Sequence, residues 1–176
     1  MKINKLGLTV LLCSSVCSLN ALAFETAARN AILMDYDTGE YLFEKNIEES
    51  VPPASMSKLM TVYVLMSKIK DGSVKLDDTF SVSENAWRKG GAATGGSTMF
   101  LSIGDNVSVE NLIKGIVIQS GNDACIVVAE NLAGSEEDFV ILMNKTAKKL
   151  GLKNSHFENA TGLPHPDHRM SMEDLA

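Results

Sequence analysis

Pro53-Ala54-Ser55-Met56-Ser57-Lys58-Leu59-Met60-Thr61 is the stretch on which the reading of this chain turns. Pro52-Pro53 stops an extended segment, and residues 55–70 then carry apolar side chains at helical spacing: Met56, Leu59, Met60, Tyr63 and Met66, before Asp71-Gly72 ends the run. Ser55 and Lys58 are three apart and share one face of the predicted helix. An amine so placed can take the serine proton if it is neutral, and burial or a neighbouring cation lowers a lysine pKa. Ser57 falls on another face and reads as a helix or solvent residue. Ser67-Lys68-Ile69-Lys70 repeats the spacing, so position has to decide between the two. At a helix start the N–H groups are free and the dipole favours a developing oxyanion, whereas the C-terminal end exposes carbonyls. That favours Ser55, whose bland alternative is a helix N-cap.

Towards the C-terminus a second polar element, Ser120-Gly121-Asn122, separates two apolar runs. Ser108 is predicted to cap a helix over 109–119, and another is predicted over 123–132, closed by Gly134. The tripeptide by itself reads equally as a turn with Asn122 as cap. Its chemistry offers a hydroxyl that can relay a proton and an amide with both donor and acceptor for a substrate amide. Ser135 opens a third helix with Phe139, Leu142, Met143, Ala147 and Leu150 on its apolar face, ended by Gly151. Residues 153–170, broken by Gly162, Pro164 and Pro166, read as irregular. Ser171-Met172-Glu173-Asp174 has capping-box form, and its helix has few residues before Ala176, which makes the chain look like a fragment.

Towards the N-terminus, residues 31–35 and 40–43 flank Asp37-Thr38-Gly39, a hairpin signal in which Gly39 supplies a positive backbone angle. Two strands alone are marginal in water, so the hairpin either joins strands beyond residue 176 or packs on helices. Residues 79–87 hold a short strand and a helical turn. Residues 88–97 read as a loop on account of Gly90, Gly91, Gly95 and Gly96. A hairpin followed by a helical region gives an α+β class.

The first residues carry Lys2 and Lys5, an apolar run over 6–19 and Ala21-Leu22-Ala23, the pattern of an export signal over residues 1–23 with a mature start at Phe24. A membrane anchor fits less well, because the run is short and holds Cys13, Ser14, Ser15, Cys17 and Ser18. Lipid attachment would need a small residue before the cysteine, whereas Leu12 and Val16 stand there. The formal net charge is −6, and losing two lysines with the signal makes it −8. A nucleic-acid partner, which would favour a basic face, is argued against. Only Cys125 remains after cleavage, which excludes a disulfide within the chain, and its apolar neighbours make it a small buried residue. His165, Asp167 and His168 offer a possible metal spacing, but prolines interrupt the segment and no further ligands cluster there. They read as solvated loop residues, and neither metal nor cofactor is expected.

The segments 53–61 and 118–125 resemble the first two active-site motifs of low-molecular-mass penicillin-binding proteins, the D-alanyl-D-alanine carboxypeptidases of the peptidase S11 type. Thr98-Met99-Phe100-Leu101 with Gly104-Asp105, residues 143–152 and residues 159–163 resemble the same family. The resemblance runs from about Ala31 to the last residue. It implies a β-lactamase/transpeptidase-like fold, with a helical cluster and further strands beyond the chain end. Residues 24–176 would then be the N-terminal, incomplete part of a catalytic domain. It also implies that Ser55 carries an acyl-ester, Lys58 accepts its proton, Ser120 passes a proton to the departing D-alanine, and Asn122 binds the substrate backbone and helps hold Lys58. The implied partners are peptidoglycan stem peptides and β-lactam antibiotics, at an exported, periplasmic location, with possible peripheral membrane association through a C-terminal segment. The family's third motif, Lys-Thr-Gly, is absent: Lys145-Thr146 continues with Ala147. That implies poor activity for this stretch alone. Two alternatives are a serine β-lactamase, whose second motif is usually Ser-Asp-Asn with a Glu-x-x-Leu-Asn segment not found here, and a non-catalytic wall-binding module.

Overall fold

In the computed structural model, residues 25–176 are described; the export signal expected over residues 1–23 lies outside them. The hairpin pairs β1 (Ala31–Met34) with β2 (Tyr41–Lys45) antiparallel, Ala31 opposite Lys45 and Leu33 opposite Phe43. Its turn is closed by Asp35, whose carboxylate accepts from the Thr38 N–H at 2.8 Å and the Thr38 hydroxyl at 2.7 Å, while Gly39 takes φ +71°. None of its residues is fully buried.

A 3₁₀ turn, Ala54–Ser57, leads into α1 (Lys58–Lys70). Next come β3 (Thr79–Ser81), α2 (Glu84–Gly90) and β4 (Asn106–Ser108), followed by α3 (Val109–Gln119), α4 (Asn122–Ala133), α5 (Glu136–Leu150) and α6 (Met172–Leu175). The α+β class holds. β3 is the short strand expected within 79–87; β4 pairs antiparallel with it as a second two-stranded sheet, and β4 was not foreseen because three residues carry no periodicity.

The buried centre is α4. Every residue from Asn122 to Ala129 is buried, and α1, α2, α3 and α5 pack around it. A helix enclosed on all sides is apolar all round, so Ala124-Cys125-Ile126-Val127-Val128-Ala129 shows no amphipathic stripe. Cys125 is buried here as expected. Gly90 was read as a loop residue, yet it is the last residue of α2: a Cβ there would overlap the Asp123 backbone, so the glycine lets α2 lie against α4. Glu130 accepts from Ser83 Oγ at 2.6 Å and Asn85 Nδ2 at 2.7 Å, fixing the same pair of helices.

The predicted apolar face of α1 is only partly the buried one. Met60 is buried, but Met56, Leu59, Tyr63 and Met66 are exposed, Leu59 by 60%. The buried face is Lys58, Met60, Thr61, Val64 and Leu65, with Ser57 just before it. Polar side chains can be taken out of water here because segment 159–163 supplies hydrogen-bond partners to Lys58 and Thr61, and the Ala54 carbonyl one to Ser57. Among the described residues, no helix is long and apolar enough to cross a membrane.

Candidate active site

Ser55 lies in the 3₁₀ turn ahead of α1, exposed, and neither that turn nor α1 has a side-chain cap bond. The N-cap explanation for Ser55 therefore fails. The Lys58 amine, carried inward on the first residue of α1, donates to Ser55 Oγ at 3.1 Å and to the Thr161 carbonyl at 2.6 Å. Burial holds its pKa below the usual lysine value. The Cys125 thiol would oppose this as a thiolate. Its own burial pushes its pKa up to about 12, so it is uncharged at neutral pH and gives the amine no counter-charge.

Ser67, the alternative serine, donates to the Tyr63 carbonyl one turn back at 2.8 Å, near the C-terminal end of α1. It is paired to its own helix and has no lysine on its hydroxyl.

Ser120 ends α3 in the left-handed conformation, φ +57°, which turns the chain sharply into α4. Ser55, Lys58 and Ser120 line one cavity of about 180 Å³, with Leu59, Val62, Ile116 and Val117 as its apolar walls. Asn122 is buried and its N–H donates to the Ser97 carbonyl at 2.8 Å. The second partner of Lys58 is the Thr161 carbonyl, where Asn122 had been expected to help hold the amine.

Asp123, which lies within segment 118–125 and was given no role there, fixes the neighbouring loop. One carboxylate oxygen accepts from Met99 N at 2.8 Å and Ala124 N at 2.9 Å, the other from Thr98 Oγ1 at 2.7 Å and Leu101 N at 3.1 Å. Four donors satisfy a carboxylate that has no access to water. Loop residues 98–101 are thereby tied to the start of α4, beside Asn122. Asn144 likewise pins Phe157, accepting from its N–H at 2.9 Å and donating to its carbonyl at 2.7 Å. The sequence had only the bare identities of these residues, with no periodicity to mark their roles.

The three histidine-loop residues are not brought together. His168 is buried, edge-on to Phe157, with Nδ1 accepting from the Glu158 N–H at 3.3 Å; it is not a solvated residue. His165 and Asp167 instead gather with Glu158, within 4.8 Å of one another and largely exposed, and His156 Nε2 is paired to the other side of the Glu158 carboxylate at 2.8 Å.

The D-alanyl-D-alanine carboxypeptidase family, peptidase S11, matches residues 17–176. The chain belongs to this family. It is 49% identical over 150 residues to D-alanyl-D-alanine carboxypeptidase DacC of Escherichia coli, covering 85% of this chain and 38% of that protein. It is 46% identical over 149 residues to DacF of Bacillus subtilis, covering 85% and 37%. The crystal structure of DacD from Francisella tularensis superposes with a TM-score of 0.81 at 42% identity, covering 87% of this chain and 36% of that one. Penicillin binding protein 5 from Haemophilus influenzae gives a TM-score of 0.81 at 36% identity, covering 86% and 44%. The β-lactamase/transpeptidase-like fold is thereby shown. The chain spans under two fifths of the length of these two curated relatives.

Proposed function

We propose that the full-length protein is a serine-type D-alanyl-D-alanine carboxypeptidase that removes the terminal D-alanine from peptidoglycan pentapeptides through an acyl-enzyme on Ser55. The observation that carries this is the buried Lys58 amine 3.1 Å from an exposed serine hydroxyl that caps no helix. Residues 24–176 are proposed to be the N-terminal part of the catalytic domain, following an export signal over residues 1–23 that delivers the enzyme to the periplasm. The exposed apolar residues Leu59 and Val117 on the cavity wall support an incomplete domain.

In the proposed reaction the neutral Lys58 amine takes the Ser55 proton as Oγ attacks the carbonyl of the penultimate D-alanine. The Ser55 N–H, in the first turn where N–H groups lack helical acceptors, faces the developing oxyanion. Ser120 then relays a proton to the departing amine, the C–N bond breaks, and D-alanine leaves with an ester on Ser55. Water attacks that ester and restores the serine. Asn122 orients the substrate backbone. β-Lactams enter the same step with their ring amide, and the ester they leave is expected to hydrolyse slowly, since the Glu-x-x-Leu-Asn segment of serine β-lactamases is not found in residues 1–176. The test is to incubate the full-length protein with a pentapeptide and, separately, with penicillin. D-alanine release with slow penicillin turnover is expected; fast penicillin turnover without D-alanine release would move the assignment to β-lactamase.

A further inference from the structure

Three consecutive residues of one irregular segment meet the first turns of the nucleophile's helix. The Ala160 carbonyl accepts from Thr61 Oγ1 at 2.7 Å, and the Thr161 carbonyl accepts from Lys58 Nζ at 2.6 Å. Gly162, at φ +82°, lies so close that a Cβ would overlap the Ala54 carbonyl oxygen and crowd Ser57 Oγ. Only glycine meets both demands, a left-handed backbone and no side chain. Ala54, directly before the nucleophile, also has a left-handed backbone, φ +49°, unusual for a residue with a Cβ. Its carbonyl is held by the Ser57 hydroxyl at 3.0 Å, and Ser57 is wholly buried.

The segment is rigid in its own right. Asn159 Oδ1 accepts from Gly162 N at 2.7 Å, Thr161 Oγ1 at 3.0 Å, Thr161 N at 3.1 Å and Leu163 N at 3.2 Å. Asn159 Nδ2 closes the loop by donating to the Leu163 carbonyl at 2.9 Å. A shift of this segment carries the Thr161 carbonyl with it, and the Lys58 amine sits on a flexible four-carbon stem that follows its partner.

We infer that Ser57 and Gly162 are positioning residues for acyl transfer: Ser57 locks the Ala54 turn that aims Ser55, and Gly162 lets segment 159–163 seat on that turn and hold the Lys58 amine. This rests on the proposed role of Ser55 and Lys58. Neither residue touches substrate; each acts through the pair it aligns. Ser57, which the sequence reading set aside as a bystander, thus belongs to the machinery of its own motif.

The test is time-resolved labelling of the full-length protein with a fluorescent penicillin, which separates the acylation rate constant at saturation from non-covalent binding, in the parent, Ser57→Ala and Gly162→Ala across pH. Both variants are expected to lose on the order of tenfold to a hundredfold in the rate constant, as small misplacements do, with binding within about twofold. In Gly162→Ala the acid limb of the rate profile moves to higher pH, because water admitted beside Lys58 relieves the burial that lowers its pKa. Folded variants that acylate with the parent's rate constant and pH profile would overturn the inference while leaving Ser55 in place. If Gly162→Ala does not fold, Ser57→Ala decides, since it removes one oxygen and adds nothing. A parent that is not labelled, or is labelled away from Ser55, would overturn the functional proposal itself and the inference with it.

Discussion

The Lys58 amine donates to the Thr161 carbonyl at 2.6 Å across 103 residues of chain. With one N–H occupied there, the amine stands 3.1 Å from Ser55 Oγ, fixed in direction as well as distance. A lysine on a surface helix would sample many rotamers and stay charged. Enclosure by the 159–163 segment restrains the rotamers, and burial shifts the amine toward its neutral form, the direction a base for serine requires.

Lys58→Met should abolish penicillin labelling, since the serine then keeps its proton. It should also change how stability depends on pH. Because burial lowers the native pKa below the usual 10.5, the unfolded chain binds more protons than the native one between the two values. Stability of the parent therefore rises with pH through that window, and the penalty is fully present below it. Denaturation from pH 7 to pH 10.5 should show the parent gaining on Lys58→Met; parallel curves would count against a buried base.

His168 supplies a second pH signature, on the acid side. Burial, first of all, pushes its pKa down from 6.5 to about 4, and His156 and His165 push the same way while Glu158 opposes them. The unfolded chain takes up the proton first, so stability is lost as pH falls from about 6.5 through about 4, by about 3 kcal/mol for this group. His168→Leu should lose about that much less than the parent between pH 7 and pH 4 in urea denaturation. Equal losses would show that the imidazole is not buried and neutral.

Much of the fold was legible because its signals are local. Ser108, Ser135 and Ser171 each cap a helix at the expected position, and Asp37-Thr38-Gly39 turns the hairpin. The buried face of α1 was not legible. Its polar members, Ser57, Lys58 and Thr61, are stabilised by the carbonyls of residues 54, 161 and 160, two of which lie about a hundred residues away. No periodicity within 55–70 can report a partner that arrives from so far along the chain. The same holds for Gly90 and Gly162, whose glycines look like breakers in sequence and serve as points of close backbone approach in the fold. Ser55, Lys58 and Ser120 were named from chemistry and resemblance, and they line one cavity; the Thr161 carbonyl has no side-chain identity to be read.

The most direct measurement is peptide mass spectrometry of the full-length protein after brief exposure to penicillin, alongside Ser55→Ala and Ser67→Ala. The penicilloyl group should be found on Ser55 and nowhere else. Ser55→Ala should lose labelling and D-alanine release together while its melting curve moves little, since its hydroxyl caps no helix. Ser67→Ala, whose serine bonds its own helix, should label like the parent. A penicilloyl group on Ser57, Ser67 or Ser120, or undiminished labelling of Ser55→Ala, would contradict the assignment of Ser55 as nucleophile.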